Sequence, residues 1–453
     1  FDEIVTVAGT PQLLIETGAN DAILDYSSGS GSPTITFNYT VAAGHISTDL
    51  GYISSNSLTL NGGSIIDAAG NNANLNMAEP DSLGSLSSNK SFVVDGIVPV
   101  MTSVTSFIED GSYMVGDTIP VSIVFDDNVY IIGNPQISLV TYSNNANTLV
   151  DYSSGSGTTS IVFNYVVGLG HQNNDLDYSN TSALTLNGGS IRDISGNNAT
   201  LTLIPPGSSG SLSANKSLMV DGGLPVVNSV SSSASNSTYI VGDTLIINVS
   251  FSEPVTVTGV PTIILETGDN DALSSYTSGS GTSAIKFSYI VSEGDYTEDL
   301  SYINQNALQL NQGSINDAAG NNMVLILPEP DSTGSLSSNK NLNIDGILPF
   351  INSVTSLDSS GTYIFGDTID IAMNFSKQMN VTGTPQLLLE TGSNDASIPY
   401  LSGAGSETLV FRYIIESGHS SNDLSYQSDS SLVLNGGLIT DLAGNRLLLN
   451  LPE

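Results

Sequence analysis

Apolar residues fall on every second position in a series of short runs separated by turn formers. Leu245, Ile247, Val249 and Phe251 make one run, and Ile285, Phe287, Tyr289 and Val291 another. A period of two puts alternate side chains on one face, so each run reads as a half-buried β-strand. Around them the pattern predicts an edge strand from Pro225 to Val230, a strand from Pro261 to Glu266 and a hairpin turn over Tyr276 to Gly281. Ser252-Glu253-Pro254 is expected to end the strand before it. Leu308 to Ile315 carries an Asn-Gln-Gly interruption, read as a bulge. Leu325 to Leu327 reads as the start of a closing strand, and Leu342 to Ile344 as the lead into the next linker. No stretch has the period of an amphipathic helix of ordinary length.

The whole pattern repeats. Ile119, Val121, Ile123 and Phe125, and later Ile369, Ile371, Met373 and Phe375, reproduce the first run. Phe1, Phe125, Phe251 and Phe375 lie 124, 126 and 124 residues apart, and Tyr26, Tyr152, Tyr276 and Tyr400 lie 126, 124 and 124 apart. The period is therefore 124, with two extra residues in the second copy. There Thr141-Tyr142-Ser143 replaces the Glu-Thr-Gly found at Glu16, Glu266 and Glu390. The predicted organisation is a partial repeat over 1–94, full repeats over 95–220 and 221–344, and a partial repeat over 345–453. Seven or eight short strands per repeat point to an all-β chain, a tandem array of immunoglobulin-like or cadherin-like antiparallel β-sandwiches. Tyr52, Tyr178, Tyr302 and Tyr426 stand where a tyrosine corner stands in such sandwiches. The first and last repeats are incomplete. A window on a longer array is the simpler reading, and strand addition from neighbouring copies is the other.

Charge changes the picture. The chain has 453 residues with 8 Lys and Arg against 44 Asp and Glu, a net charge of −36. That excess disfavours nucleic acid and anionic membranes as partners. It favours hard divalent cations, calcium above all. There is no cysteine, so disulfides, thiolate metal sites and cysteine catalysis are excluded. No apolar run is long enough to span a membrane.

Three acidic positions recur. One is the linker aspartate, Asp95, Asp221 and Asp345. A second follows the strand-ending Phe, at Glu3, Asp127 and Glu253. The third is Asp-x-[Ala/Ser]-Gly-Asn, at Asp67/Asn71, Asp193/Asn197, Asp317/Asn321 and Asp441/Asn445. In a sandwich all three reach the end where one repeat joins the next. Crowded carboxylates there are expected to hold calcium, with Asp95, Asp127, Asp193, Asn197, Asp221, Glu253, Asp317, Asn321, Asp345, Asp441 and Asn445 as ligands. The other reading makes the five-residue motif a turn and nothing more, since Asp and Asn bond their own backbone and Gly supplies positive φ. Lys377 replaces the second acid in the fourth repeat. It either neutralises that site or marks a joint without metal. Asp117, Asp243 and Asp367 follow a Gly before the alternating strand and read as turn chemistry, with a second cation site as the other reading.

Tyr-x-x-Gly-Asp-Thr, Phe-Ser-Glu-Pro-Val-Thr-Val-Thr-Gly-x-Pro, Tyr-x-Ser-Gly-Ser-Gly, Leu-Asn-x-Gly and Asp-Ala-Ala-Gly-Asn together resemble the SWM-type, flagellar-system-associated repeat of bacterial cell-surface proteins. They also resemble the wider class of bacterial immunoglobulin-like and cadherin-like adhesin repeats. The resemblance implies an extracellular, surface-anchored array tied to adhesion or motility, with no catalytic residues. A stalk or fibre segment is the expected role. Its expected partners are the neighbouring repeats, further copies of itself and a surface ligand. A self-assembling sheath, surface layer or filament is the alternative. A carbohydrate-binding module lacks support, because there is no Trp to build an aromatic platform. His45, His171 and His419 occupy one repeat position, where the third repeat has Asp295, and no convergent partner set marks them as catalytic or zinc-binding.

Overall fold

In the computed structural model, which describes residues 1–452, the chain divides into two compact units, Phe1–Gly223 and Leu224–Glu453. Each unit carries two of the sequence repeats, built as β-sandwiches. The third repeat shows how the pattern makes the fold. The alternating residues Leu245, Ile247, Val249, Ile285 and Phe287 are all fully buried in one cluster. They lie on Thr244–Thr258 and Thr282–Ile290, which pair antiparallel through most of their length.

Thr244–Thr258 runs on for 15 residues, past the expected stop at Ser252-Glu253-Pro254. The register slips between Ser250 and Val255 instead. Pro254 has no N–H to give a ladder, and inside the slip none is needed. Beyond it the strand changes partner, pairing through Thr256, Val257 and Thr258 with Ser314–Asn316. The one strand thus has a different partner on either side of the slip. Thr118–Ile132 and Thr368–Thr382 do the same.

Two further expectations are corrected. Leu308 to Ile315 is not one bulged strand. Leu308–Gln309 pairs with Thr262–Glu266, and Ser314–Asn316 with Thr244–Thr258. Between them Asn311 and Gln312 turn the chain through left-handed backbone, with φ of 51° and 68°. The close strand crossing leaves no room beside Gly313, where a Cβ would lie 2.1 Å from the Thr258 carbonyl oxygen. Leu325 to Leu327 is irregular, and the closing strand is Leu342–Asp345. It follows a one-turn helix, Leu336–Asn339, capped by the Ser335 hydroxyl. It lies between Ser237–Ile240 and Tyr296–Thr297, and its pairing with Ser237–Ile240 is parallel. The second repeat has the same parallel pair, Gly111–Tyr113 with Leu218–Asp221. The antiparallel expectation therefore fails at that one pairing, because the closing segment enters beside a strand from the start of its own repeat and runs in the same direction.

The recurring tyrosine is structural, but its partner lies downstream. The Tyr302 hydroxyl donates to the Pro328 carbonyl at 2.5 Å, and the Tyr178 hydroxyl to the Ile204 carbonyl at 2.5 Å. Burial, helped by Glu329, pushes the Tyr302 phenol up to about 12.

One core position is out of keeping. Ser274 is fully buried and its hydroxyl lacks a partner among the described residues. Leu24, Val150 and Ile398 hold the matching positions in the other repeats. Ser274→Val removes an unsatisfied hydroxyl and adds apolar contact. We expect it to stabilise the third repeat by about 1–2 kcal/mol, read as a higher urea midpoint with an unchanged m-value. A lower midpoint would show that the site has no room for the added methyl groups.

Candidate functional site

Each Asp-x-[Ala/Ser]-Gly-Asn segment closes on itself. Asp317 Oδ1 accepts from the Gly320 and Asn321 amides, both at 2.8 Å, and its Oδ2 accepts from Asn321 Nδ2 at 2.8 Å. Asp193 takes the Asn197 amide and Asn197 Nδ2 in the same way, and Asp67 takes Asn71. The turn reading is therefore met in geometry, and it does not exclude a cation on the remaining carboxylate lone pairs. Asp193, Asp317 and Asp441 are buried, at 4%, 4% and 2% exposure, so these carboxylates sit inside the structure rather than on a solvated face.

The fourth repeat shows what such a carboxylate faces. The Lys377 ammonium donates to both Asp345 oxygens, at 2.7 and 2.9 Å, to Asp441 Oδ2 at 2.9 Å and to the Ile347 carbonyl at 2.6 Å. Linker, long strand and turn thus meet around one positive charge. Burial opposes the charge on Lys377, and the bonds to Asp345 and Asp441 overcome that opposition and hold the ammonium above the usual lysine range. Burial would also raise the Asp441 carboxyl, yet the bonds from Lys377 and Asn445 hold it below the usual carboxylate range.

Asn445 and Asn197 also hold the linker through their amide nitrogens. Asn445 Nδ2 donates to the Asp345 carbonyl at 2.8 Å and to Asp441 Oδ2 at 3.1 Å, and its Oδ1 accepts from the Val241 amide of the preceding repeat at 3.3 Å. Asn197 Nδ2 likewise donates to the Asp95 carbonyl at 2.9 Å. The amide is a clasp on the linker backbone. Ser195, passed over in the sequence, adds a bond from its hydroxyl to Asp95 Oδ2 at 2.7 Å.

The other expected ligands fall into place unevenly. Within the second unit, Glu253 and Asp317 present carboxylate oxygens within 4.8 Å of each other. Asp221 ends its strand in the first unit, and its Oδ1 accepts from the Gly223 amide at 3.1 Å. In the second repeat Asp127 is exposed and accepts from the neighbouring Asn128 amide at 2.7 Å, so Asp95, Asp127 and Asp193 form no close trio. Asp is one methylene shorter than Glu at this position, and its carboxylate stays with its own backbone.

The histidine position is an acceptor site. His171 Nδ1 accepts from the Gly168 amide at 3.0 Å and faces the Tyr165 hydroxyl at 2.7 Å. In the third repeat Asp295 Oδ2 accepts from the Ser292 amide at 2.8 Å and from the Tyr289 hydroxyl at 2.7 Å. The site asks for a lone pair, which is why Asp and His interchange here. Burial lowers the His171 pKa. A lowered native pKa means that the unfolded chain binds the proton more readily, so stability is complete above the ordinary value of about 6.5 and falls as pH drops from there through the native value. Urea melts of the second repeat between pH 7.5 and 5 are expected to show that loss, and His171→Asp is expected to remove it. An identical profile for both would assign the loss elsewhere.

No family model matches the chain, and no curated protein matches it. Solved structures give low superposition scores. A three-domain immunoglobulin structure of titin, domains I67–I69 in an E-to-A variant, matches with a TM-score of 0.27 at 9% identity, over 78% of this chain and 99% of that one. The S-layer protein rSbsC gives 0.16 at 11% identity, over 78% and 58%. A DUF4785 family protein of Legionella pneumophila gives 0.18 at 13% identity, over 77% and 89%. The fold assignment rests on the strand pairing described above and not on these likenesses.

Proposed function

We propose that this chain is a structural segment of an extracellular bacterial stalk or fibre, whose repeats are locked by a cation at each joint. In the fourth repeat the cation is the Lys377 ammonium. Where a carboxylate takes that position, the cation is calcium. The observation that carries the reading is the set of oxygens around Lys377, drawn from three separate segments and closed on one positive charge. Such a set, left without its cation, is strongly destabilising.

In the third repeat Glu253 stands where Lys377 stands, 32 residues after its linker aspartate, Asp221, and 64 before its turn aspartate, Asp317. Lys377 has the same intervals to Asp345 and Asp441. Exchanging an ammonium for a carboxylate turns a balanced site into an anionic one. A hard cation with room for about 6–8 oxygens restores the balance. The second repeat, with Asp127 turned to its own backbone, is expected to hold calcium more weakly. This reading gives the joint carboxylates a structural part and no catalytic one.

The test compares melting and sedimentation in calcium and in excess chelator. Calcium is expected to raise the melting temperature of a chain that sediments as a monomer in both conditions. Identical melting in calcium and chelator would remove calcium from the joints. Ordered polymers in calcium would replace the stalk by a sheath or surface layer.

A further inference from the structure

The turn after Leu60, Leu186 and Leu434 reads Asn-Gly-Gly, and after Leu310 it reads Asn-Gln-Gly. Its first residue is left-handed in every copy, with φ of 46° at Asn61, 45° at Asn187, 51° at Asn311 and 48° at Asn435, and φ is positive at the next residue too. The turn closes on the leucine, as in the bond from the Gly437 amide to the Leu434 carbonyl at 2.8 Å. Two left-handed residues in succession make a type I′ turn, for which Asn-Gly is the favoured pair.

Asn-Gly is also the pair most open to attack by a backbone amide on the preceding side chain, because glycine puts no side chain in the way. The attack needs a free amide. Gly62, Gly188 and Gly436 have one. Each is exposed, has nothing within 4 Å of an added Cβ, and makes no amide hydrogen bond among the described residues. The linkers carry the related pair Asp-Gly and lack that freedom. Gly346 is buried and its amide is held by the Asp295 carbonyl at 2.7 Å, as the Gly96 amide is held by the His45 carbonyl at 2.7 Å. The side-chain amides of the turns differ as well. Asn61 Nδ2 donates to the Thr10 carbonyl at 3.2 Å and Asn187 Nδ2 to the Asn134 carbonyl at 3.3 Å. Asn435 Nδ2 has no such partner among the described residues.

We propose that Asn435, and behind it Asn61 and Asn187, are sites of spontaneous deamidation that mark the age of the chain. The Gly436 nitrogen attacks Asn435 Cγ. The N–Cγ bond forms, the Cγ–Nδ2 bond breaks, and Nδ2 leaves as ammonia with the glycine amide proton. Water then opens the cyclic imide at either carbonyl and leaves aspartate or isoaspartate. Each event adds a negative charge. Isoaspartate also adds an atom to the backbone where there is no slack, since a Cβ on Gly437 would already lie 2.3 Å from the Thr382 carbonyl oxygen. The strand that follows, Leu438–Asp441, ends on the aspartate of the joint, so the modification loosens that strand. The site involves no cation and stands whether or not calcium fills the joints.

The full chain, incubated at mildly alkaline pH, tests it by peptide mass mapping and enzymatic methylation of isoaspartate. Isoaspartate is expected first at Asn435 and later at Asn61 and Asn187, with none at Asn311 or at the linker residues Asp95, Asp221 and Asp345. Gly436→Gln makes the pair that the third repeat accommodates at Gln312, with φ of 68°, and is expected to abolish the reaction at Asn435. In urea the three Asn-Gly pairs are expected to react at equal rates, because their ranking comes from the fold. No isoaspartate at the three pairs in the folded chain, equal accumulation at Asn311, or the same ranking in urea would each overturn the proposal.

Discussion

Replacing Lys377 with methionine is expected to destabilise the fourth repeat by about 3 kcal/mol in calcium-free buffer. Methionine keeps most of the apolar stem and removes the charge. Asp345 and Asp441 are then left to repel one another, and Asp441, only 2% exposed, has no water to turn to. The Lys377 side chain is 24% exposed, which sets the estimate at the lower end for a broken buried pair. The sign of the pH dependence follows from Asp441. Its native pKa lies below the ordinary value, so its contribution is present above about pH 3.9 and is lost as pH falls through the native value. The methionine variant has less of this to lose. The gap between the two proteins, measured by denaturant unfolding, is therefore expected to narrow from pH 5 to pH 3. A gap below about 1 kcal/mol at neutral pH would reduce Lys377 to an ordinary surface partner.

Gly346→Ala is expected to cost about 3 kcal/mol through overpacking alone. A Cβ there would lie 2.3 Å from the Ser292 carbonyl oxygen and 2.8 Å from that of Asp295. Both are backbone atoms, and the second also accepts the Gly346 amide at 2.7 Å, so neither can move aside without breaking the joint. The same crowding surrounds Gly222 and Gly96, where the nearest carbonyl oxygens would lie 2.1 and 2.3 Å away. This is the physical reason that Asp-Gly recurs in the linkers. Gly111→Ala is the control, since nothing lies within 4 Å of its added methyl, and a change within about 0.5 kcal/mol is expected. Equal midpoints for the two variants would mean that the linker yields.

The joints and strands differ in how far the sequence exposes them. Leu245, Ile247 and Val249 announce a strand because the core takes every second side chain. Ser252-Glu253-Pro254 misleads because proline usually ends a ladder, and nothing local says that a register slip will free it from one. Leu342–Asp345 is too short to show a period, and its parallel partner is set by contacts about a hundred residues away. Asp345, Lys377 and Asp441 can be lined up from the repeat alone, since each recurs at a fixed interval. The clasp made by Asn445 cannot, because a single sequence does not say which end of an amide faces the linker. The exchange of His171 for Asp295 looks chemically arbitrary until the shared hydroxyl and amide donors are in view.

Calorimetric calcium titration of the parent chain and of its Lys377→Glu variant bears most directly on the cation-filled joint. The variant gives the fourth repeat the residue that the third has at Glu253, among the same oxygens of Asp345, Asp441 and Ile347. It is expected to stay folded in calcium and to bind one calcium more per chain than the parent. A folded variant with the same calcium stoichiometry as the parent would contradict the account.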